Sequence, residues 1–351
     1  MAHTPRPTPE EIRAAQDDNP KTRTRDLAAQ LGISEAQLVA ARCGAGATRL
    51  APHPDGLMAA AEAMGHVMAL TRNEACVSEI DGAYGNYTSG AHAAMVLNGE
   101  IDLRIFPAQW HHAFAVETPG EAGPRCSLQV FDAAGDAVHK IFLRGEAAPG
   151  RWQEAWRALA LADQSQALEV SARKPAEAPK SDLSKLDILR REWARMTDTH
   201  QFLRLTSKLK MNRLGAYRIA GEPFVRALKP EAVDLALERL AAEGTEVMIF
   251  VGNRGCIQIF SGPVKTLKAM GPWQNVLDPG FNLHLRRDHI AEVWAVEKPT
   301  QRGPATSLEA FDAEGGLILQ VFGIGKEGRD SRPAWRALVE GLPAATPEEV
   351  A

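Results

Sequence analysis

The 351-residue sequence has little of several features that would assign a protein class directly. Only four cysteines occur, and none forms a C-x-x-C pair, which excludes a dense disulfide framework and a cysteine-based zinc site. No run of about 18 apolar residues is present, so no membrane-spanning helix is predicted. The N-terminal residues lack a positively charged run that leads into an apolar stretch, which argues against a secretory signal. We therefore expect a cytoplasmic protein with reduced thiols.

An excess of positive charge is also lacking, because 40 Lys and Arg stand against 44 Asp and Glu. Proteins that live on nucleic acid usually carry a basic surplus, since phosphate neutralisation dominates their affinity. The sequence contains no Walker, G-x-S-x-G or H-E-x-x-H motif, which excludes the common P-loop, hydrolase and zinc-protease classes. The hydrophobic fraction of 45% is ample for a globular protein of two or three domains.

An internal repeat organises the chain. When the sequence is shifted by 180 residues, positions 67–82 and 101–145 match their counterparts; for example, Phe131-Asp132-Ala133 recurs as Phe311-Asp312-Ala313. About a third of positions 101–145 are identical without a gap, and a period of this length indicates domain-sized copies rather than a solenoid. Residues 163–183 are polar and poor in large apolar groups, as expected of a linker. We predict a first module at 1–162, a linker at 163–183 and a second module at 184–351.

Each module has a strand-rich pattern with helices at its margins, which predicts an α+β fold with a large antiparallel sheet per module. Asn98-Gly99 lies between two apolar runs and predicts a hairpin with a type I′ turn. Residues 253–255 predict a second hairpin between 247–251 and 256–260. The predicted helical stretches are 9–17, 24–42, 57–64, 152–161, 184–195, 198–210, 231–243 and 333–341.

The segment 195–202 (RMTDTHQF) is the most informative for chemistry. Thr197 or Asp198 is expected to cap a helix whose apolar face is Phe202, Leu205 and Leu209. His200 is off that face, and the positive end of the helix dipole favours its neutral imidazole, the form that binds metals. One histidine is enough to ligate haem iron, because the macrocycle supplies the other four nitrogens. The alternative is an ordinary exposed histidine near a helix cap.

Several segments carry a resemblance to a known family. They are 98–106 (NGEIDLRIF), 110–115 (WHHAFA), 193–202 (WARMTDTHQF), 281–286 (FNLHLR), 297–300 (EKPT) and 307–312 (SLEAFD). Together with the duplication, these segments resemble the HemS/HmuS/ChuS group of cytoplasmic haem proteins, also called hemin-degrading factors. The likeness extends over essentially the whole chain.

The resemblance implies that b-type haem, as ligand or substrate, lies in the cleft between the two modules. His200 matches the proximal iron ligand, and Arg104 matches a distal arginine that faces the sixth coordination position, with Phe106 beside it. Arg213 and Lys298 match basic residues near the propionates, whose negative charge favours such partners. Gly325 departs from the pattern, because an arginine is common there in the family. Either the neighbouring Lys326 substitutes for it, or one propionate contact is missing.

Two functions are compatible with the resemblance. A carrier in haem uptake and utilisation would take haem from an inner-membrane transporter and pass it to a downstream haem oxygenase. An enzyme would instead open the macrocycle with dioxygen and an external reductant, releasing iron, and Arg104 would then act at the reacting centre. No segment of the sequence is assigned as a flavin or nicotinamide site, so the reductant is expected to be external.

A weaker alternative is a haem-responsive DNA-binding protein. Residues 25–38 have the Gly-x-Ser turn and apolar spacing of a helix-turn-helix motif, with Lys21, Arg23 and Arg25 nearby. The same pattern occurs in any compact helical hairpin, and the near-neutral charge does not favour nucleic acid as a partner.

Among the other histidines, His111 and His112 are adjacent on a predicted strand and should point to opposite faces. His284 occupies the repeat position of Arg104, and a structural role is expected for it.

Overall fold

The computed structural model describes residues 6–120, 123–145, 149–326 and 328–346. The helices are α1 (Pro9–Asp18), α2 (Thr24–Gln30), α3 (Glu35–Ala40), α4 (Pro54–Met64), α5 (Pro149–Trp156), α6 (Leu186–Ala194), α7 (Gln201–Lys208), α8 (Arg213–Ala220), α9 (Ala232–Glu243) and α10 (Arg332–Glu340). The strands of the first half are β1 (Ala47–Leu50), β2 (His66–Arg72), β3 (Cys76–Ala83), β4 (Tyr87–Thr88), β5 (Ala94–Leu97), β6 (Asp102–Ile105), β7 (His112–Thr118), β8 (Arg125–Phe131) and β9 (Ala137–Leu143). Those of the second half are β10 (Val225–Leu228), β11 (Glu246–Gly252), β12 (Cys256–Pro263), β13 (Leu267–Met270), β14 (Trp273–Asp278), β15 (Phe281–Arg286), β16 (Glu292–Lys298), β17 (Ala305–Phe311), β18 (Leu317–Gly323), β19 (Gly325–Lys326) and β20 (Arg329–Asp330).

The chain forms two units. The first unit comprises residues 1–72, 79–174 and 252–258, and the second comprises 73–78, 175–251 and 259–351. No helix in the described residues is long and apolar enough to span a bilayer. All four cysteines are free and buried, as reduced thiols would be.

The first unit is built on an antiparallel sheet with the strand order β1-β7-β8-β9-β2-β3. Residues alternate between buried and half-buried along β3, which is the period-two pattern of a sheet that is covered more fully on one face. Helix α3 covers part of this sheet, and its Val39 and Ala40 pack in one cluster with Phe114 and Phe131. Those two rings meet edge to face with their centroids 5.9 Å apart.

The second unit repeats this plan with the strand order β10-β16-β17-β18-β11-β12. The equivalence is strand for strand, so the predicted duplication is present in the fold as well as in the sequence. Both predicted α+β modules and their antiparallel sheets are therefore confirmed. The core of this unit is richer in aromatics and includes Trp193, Phe202, Tyr217, Trp294 and Phe311.

A triplet of helices precedes the sheet of each unit: α1–α3 before β1, and α6–α8 before β10. Helix α2 therefore corresponds to α7. The N-cap position is occupied by Arg23 in α2 and by His200 in α7, and neither side chain makes a capping hydrogen bond. The predicted helix 24–42 is divided into α2 and α3, because Gly32 takes a left-handed φ of 67° and Ser34 begins a new helix with a capping box.

This correspondence bears on the helix-turn-helix interpretation. Residues Glu35, Ala36, Leu38, Val39 and Ala40 of α3 are all buried. A recognition helix must present side chains to the major groove, and this one presents them to the protein core. The α2–α3 pair is thus the structural counterpart of α7–α8, and a packing role accounts for its sequence pattern.

A buried ion pair ties the third helix of each triplet to the adjacent sheet. In the first unit, Glu35 at the start of α3 pairs with Lys140 on β9 and with Arg72 on β2. In the second unit, Arg213 at the start of α8 pairs with Glu309 on β17. Both copies therefore hold this helix to the sheet by a buried ion pair, but the helix residue has the opposite charge and its partners lie on non-equivalent strands.

Both predicted hairpins are present, but one turn differs from its prediction. Strands β5 and β6 pair with Leu97 opposite Asp102, so four residues connect them, and neither Asn98 nor Gly99 has a positive φ. The type I′ prediction is therefore wrong. The Asn98 carboxamide oxygen instead accepts hydrogen bonds from the backbone N–H groups of Glu100 and Ile101, which closes a wider turn. Asn253 closes the β11–β12 hairpin in the same way, accepting from Gly255 and Cys256.

Residues 163–182 form neither helix nor strand and are mostly exposed, in keeping with the linker pattern. They are nevertheless held by side chains. Gln164 exchanges hydrogen bonds with the backbone of Arg49, and Arg173 makes a bidentate pair with Asp136 at 2.6 Å. The exact module boundaries stay a prediction.

Candidate functional site

His200 lies in a tight turn directly before α7, and its side chain is 92% exposed. The observed helix α7 begins at Gln201 and ends at Lys208, whereas the sequence predicted a helix over 198–210. Phe202 and Leu209 are buried beneath it while His200 points away from the core, as the apolar spacing indicates. The imidazole is thus presented to the exterior of its unit.

Asp198 holds this imidazole in place. Its Oδ1 atom accepts hydrogen bonds from the backbone N–H and from the Nδ1 of His200, both at 2.7 Å. These two bonds lower the pKa of the Asp198 carboxyl, which is therefore ionised near neutral pH. An ionised carboxylate only accepts, so the Nδ1 atom carries the imidazole proton. In the neutral ring the lone pair is then on Nε2, and no hydrogen-bond partner of that atom lies within the described ranges.

The turn around His200 is anchored at both of its ends. Thr197 and Gln201 exchange hydrogen bonds, with the Thr197 N–H donating to Gln201 Oε1 at 2.9 Å and Gln201 Nε2 donating to Thr197 Oγ1 at 3.1 Å. The backbone N–H of Gln301 donates to the Thr197 carbonyl at 3.0 Å, which ties the turn to the loop after β16. The exposed imidazole therefore stands on a fixed backbone.

Beneath the turn, an aromatic cluster fixes α7 on the second unit. The Trp193 ring lies 4.4 Å from Phe202 and 5.9 Å from Tyr217, measured between centroids. The indole N–H of Trp193 donates to the Glu297 carbonyl at 3.0 Å. Truncating a buried Trp or Phe of this kind costs about 3–5 kcal/mol, so the packing that supports His200 is a substantial part of the stability.

The two basic residues expected near the propionates lie together in a buried network around Glu309. Lys298 Nζ donates to Glu309 Oε1 at 2.8 Å and to the Tyr217 hydroxyl at 2.9 Å, and Arg213 Nη1 donates to Glu309 Oε2 at 2.8 Å. The exposed fraction is 4% for the Lys298 side chain, 21% for Arg213 and zero for Glu309. Lys298 Nζ also lies 5.0 Å from the Phe202 ring centre, a cation–π distance.

Burial and charge act against each other in this network. Burial lowers the pKa of Lys298 to about 8 despite the adjacent carboxylate. The pKa of Glu309 is lowered, because Lys298 and Arg213 together outweigh its desolvation. The network thus clamps α7 and α8 to the sheet. Arg213 reaches the surface in part, whereas both polar contacts of Lys298 are internal, and the propionate contacts of the two residues stay predictions.

Arg104 and Phe106 lie in the first unit, on β6 and directly after it. Arg104 is opposite Met95 in the β5–β6 ladder, pairs with Asp102 and donates to the Leu103 carbonyl at 3.0 Å. Met95 and Leu97 are exposed although apolar, so Arg104 is a cation beside an apolar surface. The distal role of Arg104 and the place of Phe106 beside the ligand remain predictions.

Gly325 has a specific neighbour in place of a side chain. A Cβ atom at this position would lie 2.8 Å from Cδ and 2.9 Å from Nε of Arg332. The Arg332 guanidinium makes a bidentate pair with Asp330 at 2.8 and 2.7 Å. An arginine at position 325 would thus require Arg332 to move. In this chain, the glycine at 325 leaves the adjacent space to Arg332 of α10.

The other described histidines are dispersed over the fold. The described part of the chain contains no cluster of three or more His, Cys, Asp or Glu side chains placed to hold a metal ion. His112 begins β7 and is half-buried, whereas His111 precedes the strand and is exposed. His284 Nδ1 is hydrogen-bonded to Asn275 Oδ1 at 2.7 Å, in agreement with a structural role.

From the sequence, Asp198 was predicted only as a candidate helix cap, and Glu309 and Tyr217 had no predicted role. An Asp two residues before a histidine is typical of an Asx turn, so the sequence was enough to predict Asp198 as a partner of His200. Glu309 and Tyr217 are 92 residues apart and join only through the fold, where the Tyr217 hydroxyl donates to Glu309 at 3.0 Å. No sequence pattern indicates that contact.

These observations define a class: a duplicated α+β protein in which one copy presents a single exposed, carboxylate-bound histidine. Comparison with known proteins makes the assignment specific. The model of the haemin-degrading HemS/ChuX domain matches residues 32–162 and again 210–342, and the chain belongs to this family. His200 lies between the two matched ranges.

Close relatives extend over nearly the whole chain. The hemin transport protein HmuS of Yersinia pestis is 37% identical over 93% of this chain and 95% of its own length. The crystal structure of holo-PhuS, a heme-binding protein from Pseudomonas aeruginosa, is 42% identical with a TM-score of 0.91, covering 97% of this chain and all of that one. The crystal structure of ChuS, an E. coli heme oxygenase, is 33% identical with a TM-score of 0.82, covering 92% of this chain and 96% of that one.

Proposed function

We propose that this chain binds haem through His200 and acts in haem uptake and utilisation. The observation that carries the proposal is the geometry of His200. Its Nε2 lone pair is exposed, its Nδ1 is bound by Asp198, and the turn that bears it is anchored. Neutral imidazole with a free ring nitrogen is the form that ligates haem iron. The relatives named for hemin transport and heme binding support haem as the ligand.

The proposal includes a stoichiometry of one haem per chain. The fold is duplicated, but the residue at the N-cap position of α2, in the place of His200, is Arg23. A guanidinium cannot donate a lone pair to iron, because it stays protonated in proteins. The first copy thus lacks the ligand that the second copy provides.

We further propose a cytoplasmic carrier role, in which the chain accepts haem from an inner-membrane transporter and releases it to a separate haem oxygenase. Carriage needs only a reversible iron–histidine bond and partners for the propionates. Arg213 is the better placed of the two predicted propionate partners, because its side chain is partly exposed. The hemin transport name of HmuS supports this role.

A second candidate is oxidative opening of the bound haem, and it is supported by the similarity to ChuS, a heme oxygenase. In this case dioxygen would supply the oxygen atoms and an external reductant would supply the electrons. Arg104 is the proposed residue at the sixth coordination position, where a guanidinium can hydrogen-bond a polar ligand. Its place beside exposed Met95 and Leu97 is consistent with that role.

The ligand is tested by titrating the purified chain with hemin and following the Soret band. We expect saturation at one haem per chain, and we expect His200→Ala to change the spectrum and to weaken binding by at least about 10–100-fold. His53→Ala is the matched control, since His53 also occupies the N-cap position of a helix, is exposed and lies near an aspartate. Equal titrations for His200→Ala and His53→Ala would refute His200 as the ligand.

Carrier and enzyme are separated in a second experiment. Haem-loaded protein is incubated with ascorbate and catalase in air, and separately with an excess of a haem oxygenase lacking bound haem. A carrier keeps its Soret band in the first mixture and passes intact haem to the acceptor in the second. An enzyme yields open-chain tetrapyrrole that catalase does not suppress, and Arg104→Leu lowers that yield while the His200-dependent spectrum persists.

A further inference from the structure

We propose that Asp198 is a positioning residue that fixes the tautomer and direction of the His200 imidazole. This inference rests on the proposed function, in which Nε2 of His200 meets the iron. The assignment follows from one carboxylate oxygen that accepts from both the backbone N–H and the ring Nδ1 of the same histidine, each at 2.7 Å.

The two hydrogen bonds have separate effects. The bond from the His200 backbone N–H fixes the Asp198 carboxylate relative to the turn, as in an Asx turn. The bond from Nδ1 then fixes the ring relative to that carboxylate. An exposed histidine without such a partner would exchange rotamers and tautomers freely, and ligand binding would have to restrict them. The arrangement restricts them in advance.

His53 provides an internal contrast with the same residue types. There the aspartate follows the histidine, and the backbone N–H of Asp55 donates to Nδ1 of His53 at 3.3 Å. Nδ1 of His53 is therefore an acceptor, and its proton is on Nε2. The order Asp-x-His at 198–200 and the order His-x-Asp at 53–55 thus specify opposite tautomers. Only the first order leaves Nε2, the outer nitrogen of the ring, as the free ligand atom.

The carboxylate also alters the electronic character of the ligand. A carboxylate that accepts the Nδ1 proton raises the basicity of Nε2, and loss of such a partner typically weakens metal binding by 10–100-fold. Thr197 and Gln201 support the turn but do not touch the ring, so their loss should leave this electronic effect intact. Arg204 lies about one helical turn after His200, and its positive charge contributes to the lowered pKa of the Asp198 carboxyl.

The test begins with the haem-free protein, so that it does not depend on haem binding. Nitrogen-15 NMR of the imidazole side chains should show the Nδ1–H tautomer for His200 in the wild type. It should show a shift to the Nε2–H tautomer in Asp198→Ala, since that form predominates in free histidine. Asp55→Ala is the control and should leave His200 unchanged. A His200 ring that keeps the Nδ1–H form in Asp198→Ala would overturn the inference.

The haem-loaded protein supplies the second readout. In the ferrous state, resonance Raman spectroscopy should place the iron–histidine stretching frequency lower in Asp198→Ala than in the wild type. The dissociation constant should rise about 10–100-fold. Thr197→Val should leave the frequency unchanged, which separates positioning of the ring from stability of the turn. If the wild type shows no His200-dependent haem spectrum, the proposed function fails; if it does, and Asp198→Ala changes neither frequency nor affinity, only the inference about Asp198 fails.

Discussion

Replacing Glu309 by glutamine should be among the most destabilising single changes in the second unit. Glu309 is fully buried and accepts hydrogen bonds from four groups, those of Arg213, Tyr217, Lys298 and Ser307, at 2.8–3.0 Å. Glutamine keeps the shape but removes the charge, and its NH₂ group faces a cation. Breaking a buried ion pair by removing one partner costs about 3–5 kcal/mol, because the remaining charge is left uncompensated.

The assay is thermal and urea unfolding, with hydrogen exchange of peptides from α8 and β17 to locate the loss. For a unit of this size we expect a melting temperature about 6–20 °C lower. The control is Glu292→Gln on the neighbouring strand β16, whose partner Arg218 is partly exposed, so that the cost should stay within about 1 kcal/mol. A loss below about 1 kcal/mol for Glu309→Gln, equal to that of the control, would show that the network does not stabilise the fold.

The same variant should alter the response to acid. The pKa of Glu309 is lower in the folded state than in the unfolded chain, so its charge stabilises the fold above the unfolded pKa of about 4.3. That contribution is lost as the pH falls below this value. Glu309→Gln cannot lose it, and its stability should depend less steeply on pH between about 5 and 3.

Two further predictions concern the frame around the site. Burial lowers the pKa of His139 to about 3, so the wild type should lose up to about 1.4 kcal/mol of stability per pH unit as the pH falls from 6.5 towards 3. Urea midpoints measured across this range should depend less steeply on pH for His139→Gln. An equal pH dependence in the two proteins would contradict the lowered pKa of His139. Gly215→Ala should destabilise the second unit by more than about 1 kcal/mol in the same unfolding assay, because the new Cβ atom would overlap the backbone of Lys180. The control is Gly99→Ala, whose Cβ atom would meet no atom within 4 Å, and it should be nearly neutral.

The repeat made much of the fold predictable. Apolar runs bounded by turn residues identified strands such as β9 and β18 at their observed limits, and both strands have a neighbouring strand on each side. The Asn98 turn was missed because its side chain bonds two backbone N–H groups that a type I′ turn does not offer. Helix α8 was missed as well, since its pattern of buried residues depends on the aromatic cluster around Tyr217.

The site was predictable in part. The spacing of Phe202 and Leu209 was enough to place His200 outside the core, because helical periodicity is a local property. The environment of Lys298 was not predictable, since its two partners, Tyr217 and Glu309, come from other elements and only packing shows that the ammonium is buried. A residue that resemblance associates with a ligand can thus also hold the frame of the site together.

The reversed charges of the two helix-to-sheet ion pairs have a consequence for how a duplicated chain reaches its native state. Two homologous copies in one chain offer each helix triplet two similar sheets, and exchange between them is a common route to misfolded species. If α8 docked on the sheet of the first unit, Arg213 would meet Lys140 and Arg72; if α3 docked on the sheet of the second, Glu35 would meet Glu309. Burying like charges in this way costs several kcal/mol. The charge at the start of the third helix therefore favours docking of each triplet on the sheet of its own unit.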